Sequence, residues 1–115
     1  AHGAGLAVVM PAWMEFTLKH DVMRFAQVAV RVWGVQMNFE NPEDTARKGI
    51  NEFRKFLDSI GMPINFEQLN AREADIPKLV EKLGLKDKKT GGFVELSSED
   101  VTEILHIAAH AEVKR

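Results

Sequence analysis

The sequence predicts an all-α domain, and three observations carry that reading. Apolar residues recur at i, i+3, i+4 and i+7 in several separate windows, glycines close those windows, and no stretch alternates apolar and polar residues long enough to make a strand. Phe93 to Leu96 is the only run with strand-like composition, and it is too short to alter the class.

Each element has its own punctuation. Residues 6 to 14, Leu-Ala-Val-Val-Met-Pro-Ala-Trp-Met, carry no charge and read as a buried central helix. Pro11 removes one backbone hydrogen bond there, so a bend or break is expected at that point, held by packing on both sides. From 20 to 33, Val22, Phe25, Ala26, Ala29, Val32 and Trp33 share one helical face, and Gly34 supplies a left-handed stop. The run NPED at 41 to 44 reads as a helix start. Asn41 is the N-cap, Pro42 takes the first helical position, and two acids sit where the helix dipole favours them.

Ala46, Ile50, Phe53, Leu57 and Ile60 form the buried face of that helix, and Gly61 ends it. A Met-Pro turn follows, then a stretch around NFEQLN that reads as irregular. Ile76, Leu79, Val80 and Leu83 mark another amphipathic helix closed by Gly84, and KDKKTGG at 86 to 92 is a charged, glycine-bearing loop. Ser97 with Asp100 three residues on resembles a capping box with Asp in place of Glu. Val101, Ile104, Leu105 and Ala108 then give the last helix its inner face. No internal repeat, low-complexity tract or linker divides the chain, so all 115 residues read as one domain or a piece of one.

Composition excludes several function classes. Charged residues make up 28% and hydrophobic ones 45%, a balance too apolar for a disordered chain. A net charge of −2 offers no basic field to attract phosphate backbones, so nucleic acid is not an expected partner. The apolar run near the start is far shorter than the ~20 residues that span a bilayer, and it lacks the flanks of a signal peptide, so no membrane partner is expected either. The absence of cysteine removes disulfides and thiolate sites and is compatible with a cytoplasmic home. The first residue is Ala1 rather than methionine, in mid-pattern, and the chain is expected to be a piece of a longer polypeptide.

Few motifs carry chemistry. GAGLAV at 3 to 8 has Val8 where a dinucleotide-binding turn needs its third glycine, and no strand precedes it. KKTGG lacks the ordered glycines and the Lys-Ser/Thr pair of a phosphate loop. His106 and His110, spaced i, i+4 with Glu103 one turn before, share one side of a helix in a geometry that can seat a metal. The plainer reading is a polar helical face, since HExxH is absent and no third ligand is evident. His20, beside Asp21 at a helix start, reads as a surface residue. His2 stands at the entry to the apolar helix, where an interior imidazole needs a partner for each ring nitrogen, and a metal ion is one such partner.

Several features occur in order along nearly the whole chain: His2-Gly3 leading into Leu-Ala-Val-Val-Met-Pro, then Ala-Trp-Met, Val-Arg-Val-Trp-Gly at 30 to 34, Gly-Met-Pro at 61 to 63, and LSSEDVTEIL at 96 to 105. Taken together, the chain resembles the C-terminal, metal-binding helical domain of the iron-containing (group III) alcohol dehydrogenases, and in particular their butanol-dehydrogenase-like branch. The resemblance implies a partner domain of α/β type on the N-terminal side that binds NAD or NADP. It also implies one divalent metal, iron or zinc, held between the domains by an aspartate and three histidines. The last of these is the histidine of the His-Gly pair and maps onto His2; the other ligands would precede Ala1.

The reaction implied is hydride transfer between a primary alcohol or aldehyde and the nicotinamide, with the metal polarising the substrate oxygen. On this reading the isolated chain is expected to be inactive, to bind metal weakly, and to self-associate through apolar surface that the missing part would cover. Trp13 and Met14, down the same helix as His2, are candidates for the wall of an apolar substrate pocket, although plain core is the commoner role for such residues. A free-standing helical interaction module is the alternative reading, and a helix-turn-helix DNA binder ranks below it because of the acidic balance.

Overall fold

The computed structural model describes residues 2–85 and 88–115. It contains α1 (His2–Thr17), a 3-10 turn (Leu18–His20), α2 (Val22–Trp33), α3 (Pro42–Ser59), α4 (Phe66–Leu69), a second 3-10 turn (Glu73–Asp75), α5 (Ile76–Lys82) and α6 (Ser98–Ala109). Among the described residues the only sheet-type pairing is an isolated antiparallel bridge between Thr90 and Leu96. The all-α expectation therefore holds. Of the loop expected at 86 to 92, Lys86 and Asp87 lie outside the described residues, and Gly91, further along it, takes a positive φ of 106°.

The punctuation acts as expected. Gly34 closes α2 in the left-handed conformation, φ 69°. Asn41 accepts from the Asp44 backbone N–H at the head of α3, with Pro42 in the first turn. Ser97 and Asp100 form a reciprocal capping box: the Ser97 side chain accepts from the Asp100 N–H, and the Asp100 carboxylate from the Ser97 N–H. The stretch around NFEQLN departs from its expectation, for it is the short helix α4. Asn65 caps it by accepting from the Gln68 N–H, and Asn70 ends it in the left-handed region, φ 61°. Two asparagines thus do there what a longer apolar periodicity does elsewhere.

Helix α1 is the shared wall of the molecule. Its Val8 and Ala12 pack with Phe66, Ile76, Leu96, Ile104 and Ala108. Ala7 packs with Leu57 and Ile64, and Trp13 and Met14 border the cluster of Leu18, Phe25, Ala26, Ala46 and Ile50. The helix runs unbroken through Pro11, which is itself buried, because packing on both sides holds the segment without the hydrogen bond that proline cannot donate.

Burial of α1 is less complete than its composition predicts. The first turn, with His2 and Gly3, projects beyond the core and is exposed, and Leu6 and Met10 are half exposed. On α2 the covered face is narrower than the periodicity implies. Phe25, Ala26 and Ala29 are buried against α3, whereas Val32 is 63% exposed and Trp33 lies at the edge, stacked on Phe53 at 5.5 Å between ring centres. Ile60 and Leu83, placed at the last positions of their apolar stripes, are likewise exposed because the helices end beyond their neighbours.

Helices α2 and α3 approach each other closely, and a glycine makes this possible. A Cβ on Gly49 would lie 2.3 Å from the Ala29 Cβ and 2.8 Å from its Cα. Only a residue without a side chain lets the two backbones approach so far.

Candidate functional site

His2 opens α1, and its exposed imidazole has no hydrogen-bond partner among the described residues. The expectation that it lies in the interior is not met, since the helices that bury α1 cover it only from Ala7 onward. Nothing in this chain completes a metal site around it: among the described residues no group of three His, Cys, Asp or Glu is placed to hold a metal ion. Among the described residues His2 therefore stands as a single exposed imidazole with no set of metal-ligating side chains grouped around it.

The second histidine candidate resolves differently. His106 on α6 and His110 at its C-cap do face the same side, but the acid they meet is Glu73, from the 3-10 turn, rather than Glu103. The Nδ1 of His106 and the Nε2 of His110 both donate to one carboxylate oxygen, Oε2, at 2.6 and 2.8 Å. These bonds, that from His106 first, hold the Glu73 carboxyl below its usual range. The turn that presents Glu73 is steadied by Arg72, whose guanidinium donates to both oxygens of Asp75 at 3.4 and 3.2 Å. All three members of the cluster are well solvated, with side chains 42–70% exposed. The arrangement is a polar clamp between α6 and the turn before α5, in keeping with the plainer reading of the histidine pair. Glu73 carries no local signal in the sequence, for it lies 33 and 37 residues from its partners.

Further along α1 the surface opens into an apolar cleft of about 490 Å³ lined by Met10, Trp13, Met14, Phe25, Trp33 and Phe93, among others. Trp13 and Met14 are half-buried against the core clusters, the commoner role for such residues, and they also line this cleft. Trp13, Phe25 and Phe93 contact one another in edge and tilted geometries, with ring centres 5.9 to 6.3 Å apart. Met10 is eight residues from His2, about 12 Å along the helix axis, so cleft and imidazole are separate features of one helix. His20 is exposed as expected, its ring edge-on to Phe93 at 5.1 Å.

No helix among the described residues is long and apolar enough to cross a membrane. Residues 3 to 8, the glycine-bearing stretch weighed as a dinucleotide turn, lie within α1 itself.

Residues 1–109 match the description "Fe-containing alcohol dehydrogenase family, C-terminal". The chain belongs to the iron-containing alcohol dehydrogenase family. Within this family it is 32% identical over 106 residues to NADH-dependent butanol dehydrogenase A of Clostridium acetobutylicum, covering 90% of this chain and 27% of that protein. It is also 32% identical over 104 residues to the probable NADH-dependent butanol dehydrogenase 1 of Bacillus subtilis. Its structure is similar to that of NADH-dependent butanol dehydrogenase A from Thermotoga maritima, with a TM-score of 0.85 and 34% identity over 95% of this chain and 29% of that one.

This member of the iron-containing alcohol dehydrogenase family therefore spans little more than a quarter of the length of those relatives. The region matched to the family includes His2-Gly3, the Val-Arg-Val-Trp-Gly end of α2, the Gly-Met-Pro turn and the capped start of α6.

Proposed function

We propose that this chain is the C-terminal helical part of a divalent-metal- and NAD-dependent alcohol dehydrogenase that interconverts primary alcohols and aldehydes, with His2 as one ligand of the metal. The observation that carries the reading is the continuous family match from the first residue to Ala109, which contains the His2-Gly3 pair at the head of α1. The family's description favours iron over zinc, and the names of the relatives favour NADH over NADPH and butanol-like alcohols as substrates. A domain that binds the nucleotide and the remaining metal ligands are proposed to lie outside these 115 residues, and the protein to act in the cytoplasm.

In such an enzyme a divalent ion supplies Lewis acidity toward an alcohol or aldehyde oxygen. What this chain contributes is narrower. The α1 packing fixes the direction in which the first turn presents an unpartnered imidazole, and the helix behind it carries an apolar wall suited to exclude water from an alkyl group. Self-association through the exposed apolar surface belongs to the same proposal.

Metal analysis after dialysis separates the possibilities. The isolated chain is expected to retain only trace iron or zinc and to form no NADH from butan-1-ol and NAD⁺. A longer protein that contains this segment is expected to hold near-stoichiometric metal, and His2→Ala in that protein to lose both the metal and the alcohol oxidation. Stoichiometric metal on the isolated chain, or full metal and activity in the His2→Ala protein, would refute the assignment.

A further inference from the structure

Arg54 is an anomaly in this molecule. It sits midway along α3 and is only 4% exposed, and its Nη1 donates to Glu15 of α1. The other two guanidinium nitrogens, Nε and Nη2, are buried and have no hydrogen-bond partner among the described residues. An arginine remains charged at any accessible pH, and buried charges are ordinarily paired and hydrogen-bonded on all sides. The vacant atoms are not scattered. Nε and Nη2 share one edge of the planar group, the edge whose two parallel N–H bonds match the two oxygens of a carboxylate or phosphate.

Beside Arg54 lies a cleft of about 260 Å³ between α1, α3 and the chain's last residues. Arg47, Asn51, His110 and Lys114 line it along with Arg54, and the acids Glu15 and Glu112 complete its charge. Glu15 is already engaged with Nη1, while the Lys114 ammonium forms no ion pair among the described residues. One wall is the tail after Ala109, which has no helical structure and is pinned by Asn51, whose side chain bonds the backbone N–H and C=O of Lys114 at 2.8 and 2.6 Å. Both atoms are closed to solvent in this structure, so an anion reaches them only by displacing this tail, which is held as well by Asn65, donating to the Ala111 C=O, and by the Arg115–Asp58 ion pair.

We infer that this cleft is a binding site for a small oxyanion, a carboxylate or phosphate group, seated on the Nε/Nη2 edge of Arg54 with Arg47 and Lys114 at its mouth. Such a ligand satisfies the unpaired donors of Arg54 and gives the Lys114 ammonium an anionic partner, while Arg47 is already paired with Glu43 at 3.0 Å. Neither the family assignment nor His2 enters this argument, so the two readings stand or fall separately.

Inorganic phosphate is the probe. In the 115-residue chain at low ionic strength, the ¹⁵N-detected Nε–H resonance of Arg54 is expected to shift saturably with phosphate, with one site per chain. Chloride at matched ionic strength is expected not to reproduce the shift. Because Arg54 is buried, variants at the mouth give the cleaner control. The double variant Arg47→Gln, Lys114→Gln keeps Arg54 and is expected to bind phosphate at least tenfold more weakly while melting within a few degrees of the parent. No saturable change at Arg54, an equal effect of chloride, or unchanged affinity in a folded double variant would overturn the proposal.

Discussion

A single carboxylate joins the two histidines whose spacing made them metal candidates. Because Oε2 of Glu73 accepts from both rings, the clamp requires the ionised carboxylate, and the bonds hold its pKa below the usual range. The sign follows from linkage: a carboxyl depressed in the folded state adds stability above its unfolded pKa of about 4.3, and loses it as pH falls through the folded value. Chemical denaturation of the parent and of Glu73→Gln is therefore expected to give a gap in favour of the parent at neutral pH that closes as pH drops below the carboxylate range. A gap that is unchanged from neutral pH down to pH 3 would show that the clamp contributes nothing through ionisation. The histidine pair was legible as an i, i+4 spacing on one helical face. Its partner was not, because contact between a 3-10 turn and a helix more than 30 residues away leaves no periodic trace.

At the scale of elements, the helix starts were the most legible part of the fold. Asn41 and Ser97 act through hydrogen bonds that close within three residues, and so are written locally. Helix α4 was hidden because four residues are too few for a periodicity, although its two flanking asparagines are the signal that marks it. The extent of burial was less legible, since Val32 and Ile60 continue an apolar stripe past the point where a neighbouring helix covers it.

Gly49 is the clearest case of a residue whose meaning lies between elements. In an isolated helix, alanine there would be favoured by about 1 kcal/mol. Against Ala29 the added methyl has no room, and relief requires two backbones to separate. Gly49→Ala is expected to destabilise the chain by about 1–3 kcal/mol, the usual range for overpacking a tight core. Urea denaturation monitored by tryptophan fluorescence measures it, and an unchanged or raised midpoint would mean that α2 and α3 slide apart without cost. A glycine inside an otherwise regular helical pattern was the available clue.

For the molecule as a whole, the balance of covered and uncovered apolar surface sets its behaviour in solution. The three core clusters meet at α1, yet the rim of the apolar cleft remains open to solvent: Met10 is 50% and Val32 63% exposed, and Trp33 reaches from that rim to Phe53 and to the half-exposed Phe56. These side chains come from α1, α2 and α3 and form one contiguous patch, of the kind that soluble monomers seldom leave uncovered. The chain is accordingly expected to self-associate through this face, with a sedimentation coefficient that rises across the micromolar range. Val32→Asp places a charge on the patch without touching the buried Phe25, Ala26 and Ala29, so the fold is retained while association weakens tenfold or more, about 1.4 kcal/mol. A concentration-independent monomer that binds no hydrophobic dye would show that the rim side chains fold over the cleft in solution. Association that Val32→Asp leaves intact would move the contact to another face, the exposed ends of α3 and α5 at Ile60 and Leu83 being the next apolar surface on the molecule.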